Sequence, residues 1–533
     1  MSDASVVTGL SSSEVDPRGV GARRWWALGA LVLAVVAIGL DGTVLSVALP
    51  TLARKLRASE SDLQWFSSGY LLVLAAAMLP AGLLGDRYGR KKVLLASLTL
   101  FAVGSAACAA SPSSGAFIAA RVLLGCAGAG IIVMSLAALT VLFGEQERPR
   151  AVGIWAAANF VSLPIGPILG GWLLTHYWWG WVFLINVPVA LAGLVATFVL
   201  VPESRARKRP GLDLVGVALS ILGLVALIYG LIQAGQHGWS NVGAVLEMVC
   251  GAGVLVGFFF WERRLSRQPG GQPLLDVALF RLPSYTWGVI LSAIAIFSMF
   301  GVLFTMPQYF QGVLGTSPMG SGLRLLPLIG GLVVGAVPAD RLARLVGSKV
   351  AVALGFAILA AGLLIGAGTS VGSSGLFVAA WMAVVGLGMG LALATSTSAA
   401  LSKLSAERSG VGAAALQAIN KLGGPLGTAV LGSVLSTAYL ARLALSGLPA
   451  AAATTARQSI FGAVAVADQI RSPALLDSAH TAFVHGMDLA LVVSACIALV
   501  GLALTVAFLP QSSVSKTVEQ LPAETQPAVI AVT

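Results

Sequence analysis

The chain has 533 residues, of which 57% are hydrophobic and 10% charged, against about 45–50% and about 25% in soluble domains. That balance excludes a water-soluble globule, a disordered chain and a secreted disulfide scaffold, and it puts the protein in a membrane. The net charge of +11 arises from so few charges that it reports which membrane face carries them rather than a nucleic-acid partner.

A polar segment, 1–24, precedes the first apolar stretch, which is too long for a signal peptide and is expected to stay as a helix. Fourteen apolar stretches can each cross about 30 Å of hydrocarbon at 1.5 Å per residue. They cover 25–49, 63–84, 93–110, 116–142, 151–174, 181–201, 213–234, 242–261, 286–311, 321–339, 349–369, 376–400, 410–437 and 487–508. Lys and Arg crowd alternate loops, with Arg87, Arg90, Lys91 and Lys92 in the first such loop and Arg263, Arg264, Arg267 and Arg281 in a later, longer one. The positive-inside rule then makes both termini cytoplasmic. The opposite side carries a long Ala-rich loop, 438–486, with a helix-like stretch from Thr454 to Ile470, and a short tail, 509–533, ends the chain. An Arg bias of 24 against 8 Lys, with abundant Ala, Gly and Val, suggests a GC-rich bacterial genome and hence the bacterial inner membrane.

Cys108, Cys126, Cys250 and Cys496 lie far apart in apolar runs and are expected to be small buried residues. His480 and His485 are five apart, not the three or four that align ligands on one helix face, so no metal site is expected. HExxH, GxSxG and Walker A patterns are missing, and the chain is expected to be neither an enzyme nor a cofactor protein.

Charges inside apolar runs are costly and functional by default. Asp41 lies in LDGTVLSVALP, about 24 Å along the first span from Trp25, and Arg121 opens the fourth span, which runs the other way. Both fall in the outer half, where a carboxylate beside a guanidinium makes a protonation switch. The plainer alternative is a static ion pair. The second span ends in GLLGDRYGRKKVL, 82–94, where Gly85 and Gly89 allow a tight turn, Asp86 can accept bonds from a neighbouring helix N-terminus, and the basic run anchors the cytoplasmic face.

That phrase resembles the signature between helices 2 and 3 of the major facilitator superfamily, through Gly82, Gly85, Asp86, Arg87, Gly89, Arg90 and Lys91, with Gly85 where Ala is common. RVLLGCAGAG, 121–130, is similar to the family's helix 4 pattern, matching at Arg121 and Gly125 and departing at Leu124 and Ala127. Gly153, Ser162, Gly166, Pro167, Gly170 and Gly171 resemble the antiporter signature of exporters, with Ser162 replacing one Gly. An ordinary Gly/Pro-rich membrane helix would share much of that pattern. Fourteen spans, LDGTVLSVALP and WGWVFLINVP, 179–188, look like the fourteen-helix drug:proton antiporter branch.

The resemblance implies an all-α integral membrane protein with a major facilitator fold: six-helix bundles over 25–201 and 286–508, and two inserted central helices over 213–261. It implies rocking of the bundles about a midplane site, proton coupling through Asp41 and Arg121, a cytoplasmic gate at 82–91, and export of hydrophobic or amphiphilic drugs or antibiotics. A specific metabolite, such as an amino acid, a siderophore or a self-made natural product, is the alternative cargo. Gln417, Asn420 and Lys421 in the penultimate span, with Tyr309 and Gln311, are candidate cavity residues, and Lys421 disfavours a strongly cationic ligand by like charge. The expected partners are a drug-like small molecule, protons and the lipid bilayer.

Overall fold

The computed structural model describes residues 17–143, 147–204, 213–268, 277–402, 404 and 406–511. Helices dominate, as a backbone in hydrocarbon demands, because each peptide group must find its partner within the chain. The first group comprises α1 (Pro17–Leu56), α2 (Glu60–Tyr88), α3 (Arg90–Ala109), α4 (Ser114–Leu142), α5 (Arg148–His176), α6 (Trp181–Leu184) and α7 (Asn186–Leu200). A hairpin of α8 (Leu214–His237) and α9 (Val242–Leu265) follows. The last group comprises α10 (Pro283–Gln308), a π-helical turn at Tyr309–Val313, α11 (Pro318–Arg324), α12 (Leu326–Ala336), α13 (Ala339–Val346), α14 (Ser348–Gly366), α15 (Gly375–Leu401), α16 (Ala406–Arg442), α17 (Ala450–Gln458), α18 (Ile460–Ile470) and α19 (Pro473–Phe508).

Each of the fourteen apolar stretches falls on one helix or on a run of consecutive ones. Among the described residues twelve helices are long and apolar enough to cross a membrane, or thirteen with α2, which bends by 46° beside Pro80. The breaks have local causes. Proline lacks an N–H and cannot close the preceding turn; Pro327 stands just after the α11/α12 break, and Pro307 comes just before the π-helical turn.

The two groups form two bundles. In the first, α1 packs on α5 and α7, and α4 on α2 and α3; in the second, α15 packs on α10, α12 and α14, and α19 on α14 and α16. The α8/α9 hairpin leans on both bundles through α2 and α16. Ser433 Oγ donates to Leu231 O at 2.6 Å and Thr437 Oγ1 to Gly235 O at 3.1 Å, which ties α8 to α16. Beyond α8, α9 is largely exposed, the setting of a helix that faces lipid.

Two expectations change. Only Cys108 is buried; Cys126, Cys250 and Cys496 lie on the surface of the helices, because a hydrocarbon exterior suits a thiol as well as a protein interior does. The loop expected over 438–486 is shorter. α16 continues to Arg442 and α19 starts at Pro473, leaving 443–472 with two short helices that break at Ser459.

Candidate functional site

Asp41 is fully buried in α1 and Arg121 is 1% exposed in α4. Arg121 Nη1 donates to Asp41 Oδ2 at 2.5 Å, and its Nε donates to Phe66 O of α2 at 3.0 Å. The guanidinium also lies over the Tyr70 ring, 4.2 Å from its centroid, and the Tyr70 hydroxyl donates to Ile38 O. The close approach of α4 to α2 needs Gly125, where a Cβ would strike the Tyr70 carbonyl. The other oxygen of Asp41 accepts from Asn186 Nδ2 at 3.3 Å. Asn186, at the start of α7, is a member of the site that the sequence reading passed over. A buried amide in the apolar phrase WGWVFLINVP was its signal.

The geometry thus gathers α1, α2, α4 and α7 around one carboxylate. A charged, hydrogen-bonded pair is the form in which such groups survive in a dry interior. The carboxylate and its guanidinium partner thus bond, directly or through each other, to all four helices.

The 82–91 motif forms the turn between α2 and α3. Gly89 has φ of +116°, a conformation suited to glycine. The expectation for Asp86 differs from the geometry. A single oxygen of Asp86, Oδ1, accepts from Nη2 and Nε of Arg90, at 2.9 and 3.1 Å. The N-terminus of α3 is capped instead by Glu203, whose Oε1 accepts from Lys91 N at 3.2 Å, and Lys91 Nζ reaches Phe198 O. Two elements distant in sequence, α3 and the end of α7, are joined there.

The glycines of α5 make close helix crossings. Gly166 and Gly170 lie against Thr43 and Val44 of α1, while Gly171 meets the Pro318 and Met319 backbone of α11 in the other bundle. Gly322 of α11 lies against the carbonyl of Pro167 in return. Ser162 is buried, and the surroundings of Gly153 lie outside the described residues, as do Arg205, Arg207, Lys208 and Arg209.

The bundles also meet through side-chain hydrogen bonds. Gln308 Nε2 donates to the buried Glu60 Oε1 at 3.3 Å, Gln311 Nε2 to Val47 O at 3.0 Å, and Ser68 Oγ to Pro425 O at 3.4 Å. These contacts, and the α5/α11 crossing, fall in the half of the molecule away from the basic loops. Gln311 therefore joins the closed end, and Tyr309 donates to Ser370 O at 3.2 Å. Asn420 accepts from Ser292 Oγ at 2.7 Å, whereas Gln417 and Lys421 are partly exposed on α16. Glu60 and Gln308 are further polar residues that sequence reading missed, since nothing local marks a contact across 248 positions. Thr43, Met299, Leu328 and Leu332 line an apolar crevice between the bundles.

A family model for the Major Facilitator Superfamily matches residues 31–428. The chain belongs to the major facilitator superfamily. Among curated superfamily members it is 34% identical to the tetracenomycin C resistance and export protein of Streptomyces glaucescens, over 91% of each chain. It is 35% identical to the multidrug efflux pump LfrA of Mycolicibacterium smegmatis, covering 90% of this chain and 94% of that one. The fold matches the crystal structure of a bacterial homologue of the human lysosomal transporter Spinster, with a TM-score of 0.65 at 15% identity, over 91% of this chain and 96% of that one. This superfamily protein is a multi-pass membrane transporter and not an enzyme.

Proposed function

We propose that the protein is a proton-coupled efflux transporter that exports hydrophobic or amphiphilic drugs or antibiotics across the bacterial cytoplasmic membrane, with both termini cytoplasmic. The observation that carries the coupling is the buried Asp41 carboxylate, held between Arg121 and Asn186 at the junction of four helices. The division of labour is two bundles, 25–201 and 286–508, with 213–261 as an insertion that bridges them. Protonating Asp41 releases Arg121 from its counter-charge, which changes how α1 is held to α4 and lets the bundle rock. The 82–91 turn then serves as a cytoplasmic gate, and the glycines and proline of α5 as the close-packed hinge against α1 and α11.

Support for export comes from the two curated relatives, one named for multidrug efflux and one for export of tetracenomycin C. The second name favours a further reading, a self-made natural product as the physiological cargo. Transport in proteoliposomes with an imposed pH gradient, across a panel of compounds, tests both. Uptake into the side that mimics the cell exterior should depend on the gradient and stop with a proton ionophore. Transport that persists after both the pH gradient and the membrane potential collapse, and follows ATP instead, would overturn the reading.

A further inference from the structure

α16 carries a lysine deep in the membrane. Lys421 lies about 22 Å along the helix from Ala406 at 1.5 Å per residue, too far inside for its ammonium group to snorkel to a headgroup layer. It follows Gln417 by four positions and precedes Gly424 by three, so these residues share one helix face. That face looks toward α2 and α10, because Gly424 rests against Leu71 and Phe300. The closed end begins one turn further on, where Pro425 accepts from Ser68 and Gly432 lies against Gln64. Lys421 is thus at the ceiling of the space between the bundles, on the side that is not sealed, and it is partly exposed.

The ion pairs among the described residues join Arg24 to Glu147, Arg90 to Asp86 and Arg121 to Asp41. None includes Lys421, and its amino group has no hydrogen bond among the described residues. A cation in such surroundings is costly unless an anion joins it, and an unpaired intramembrane charge marks a site with a partner to be named. The walls specify that partner. Leu71 and Phe300, which meet Gly424 on the face it shares with Lys421, provide apolar and aromatic surface.

We infer that Lys421 is the anion-recognition group of the substrate cavity, and that the cargo is an acidic aromatic amphiphile: a fused or extended apolar ring system bearing a carboxylate, phenolate or enolate. This deepens the export reading and rests on it for the meaning of the cavity. It accounts for a charge that the proton-coupling cluster does not use. It also narrows the cargo, since a cation would meet Lys421 by repulsion.

Pyrene-1-butyrate, its neutral primary amide and a quaternary ammonium analogue share one ring system and differ in charge. Their binding to purified protein in lipid nanodiscs is read by pyrene fluorescence. Wild type should bind the acid roughly tenfold or more tighter than the amide, a difference of about 1.4 kcal/mol, with the cation weakest. K421Q should lower the acid to the affinity of the amide and leave the amide within about twofold, and K421R should keep the preference. Equal binding of acid and amide by wild type, or an unchanged preference in K421Q, overturns the assignment. A measurement on wild type alone covers the case of a variant that does not fold: the acid should protect Lys421 several-fold from a neutral acetylating reagent, read by peptide mass, and the amide should not. Absence of protection overturns the assignment as well. Loss of gradient-driven export with the acid preference intact would count against the antiport reading and leave Lys421 in place.

Discussion

An Asp41→Asn substitution separates the charge at the coupling cluster from its shape. The side chain keeps one oxygen to accept from Arg121, and it loses the charge that balances a guanidinium 1% exposed. Breaking one half of a buried ion pair costs about 3–5 kcal/mol because the other half is stranded. Here the Phe66 carbonyl and the Tyr70 ring still hold Arg121, which puts the expected loss near the lower figure, about 3 kcal/mol. A second change, Arg121→Met, removes the stranded charge and should restore most of that stability, since neutral replacement of a whole buried pair is close to neutral. Three readings are needed on each purified variant: thermal melting, binding of an uncharged substrate, and export driven by an imposed pH gradient. Asp41→Asn should melt earlier, bind the neutral substrate and fail to export; the double variant should recover its melting temperature and still fail to export. Export at the wild-type rate by either variant refutes the coupling role. Recovery of both stability and export in the double variant would make the pair a structural brace alone.

Asp86→Ala removes a partly exposed i,i+4 pair, worth less than about 1 kcal/mol to stability, yet maximal transport should fall several-fold with half-saturation unchanged, as kinetics at matched protein level would show. Gly322→Ala places a methyl against the Pro167 carbonyl and should keep α5 and α11 apart. Faster hydrogen exchange over Pro318–Arg324 with lost export is expected, and normal exchange with normal export would deny that crossing its role. Gly89→Ala and Gly238→Ala both force a side chain into positive φ, at a cost of about 1–3 kcal/mol. Only at Gly89 does the new atom also meet the Glu203 carboxylate, so G89A should lower the melting temperature more than G238A.

The helices were legible because apolar length is a one-dimensional property, and the Asp41 and Arg121 pair because two lone charges in apolar runs of opposite direction must find each other. Glu203 was not legible in its role. It caps α3 from 112 positions away, and VPES reads as an ordinary charged loop until α7 brings it beside Gly89. Asp86 was assigned that capping duty for the same reason: it is the carboxylate nearest in sequence, whereas Arg90, one turn further on, captures it first. Tyr309 and Gln311 sit in an aromatic and polar run that suggests a cavity wall. Only the π-helical turn after Pro307 sets their direction, toward Ser370 and Val47.

The polar groups are divided unevenly between the inside of a bundle and the seam between bundles, and the division bears on motion. Within the first bundle, the Asp41 cluster uses both carboxylate oxygens and a short charge-assisted bond, so α1, α2, α4 and α7 are expected to move as one body. Across the seam, the bonds are long or neutral, and the Gln64 amide, Gln308 Oε1 and Gln311 Oε1 are buried without a hydrogen-bond partner among the described residues. Each such group forgoes about 1–3 kcal/mol relative to water or a good partner. Opening the seam returns those amides to water and so offsets part of the apolar area it exposes. On the proposed antiport reading, a closed end built this way is expected to lie near balance with its open form, so that one proton at Asp41, or one ligand, decides between them. A seam of well-satisfied ion pairs would hold one state too firmly for a cycle.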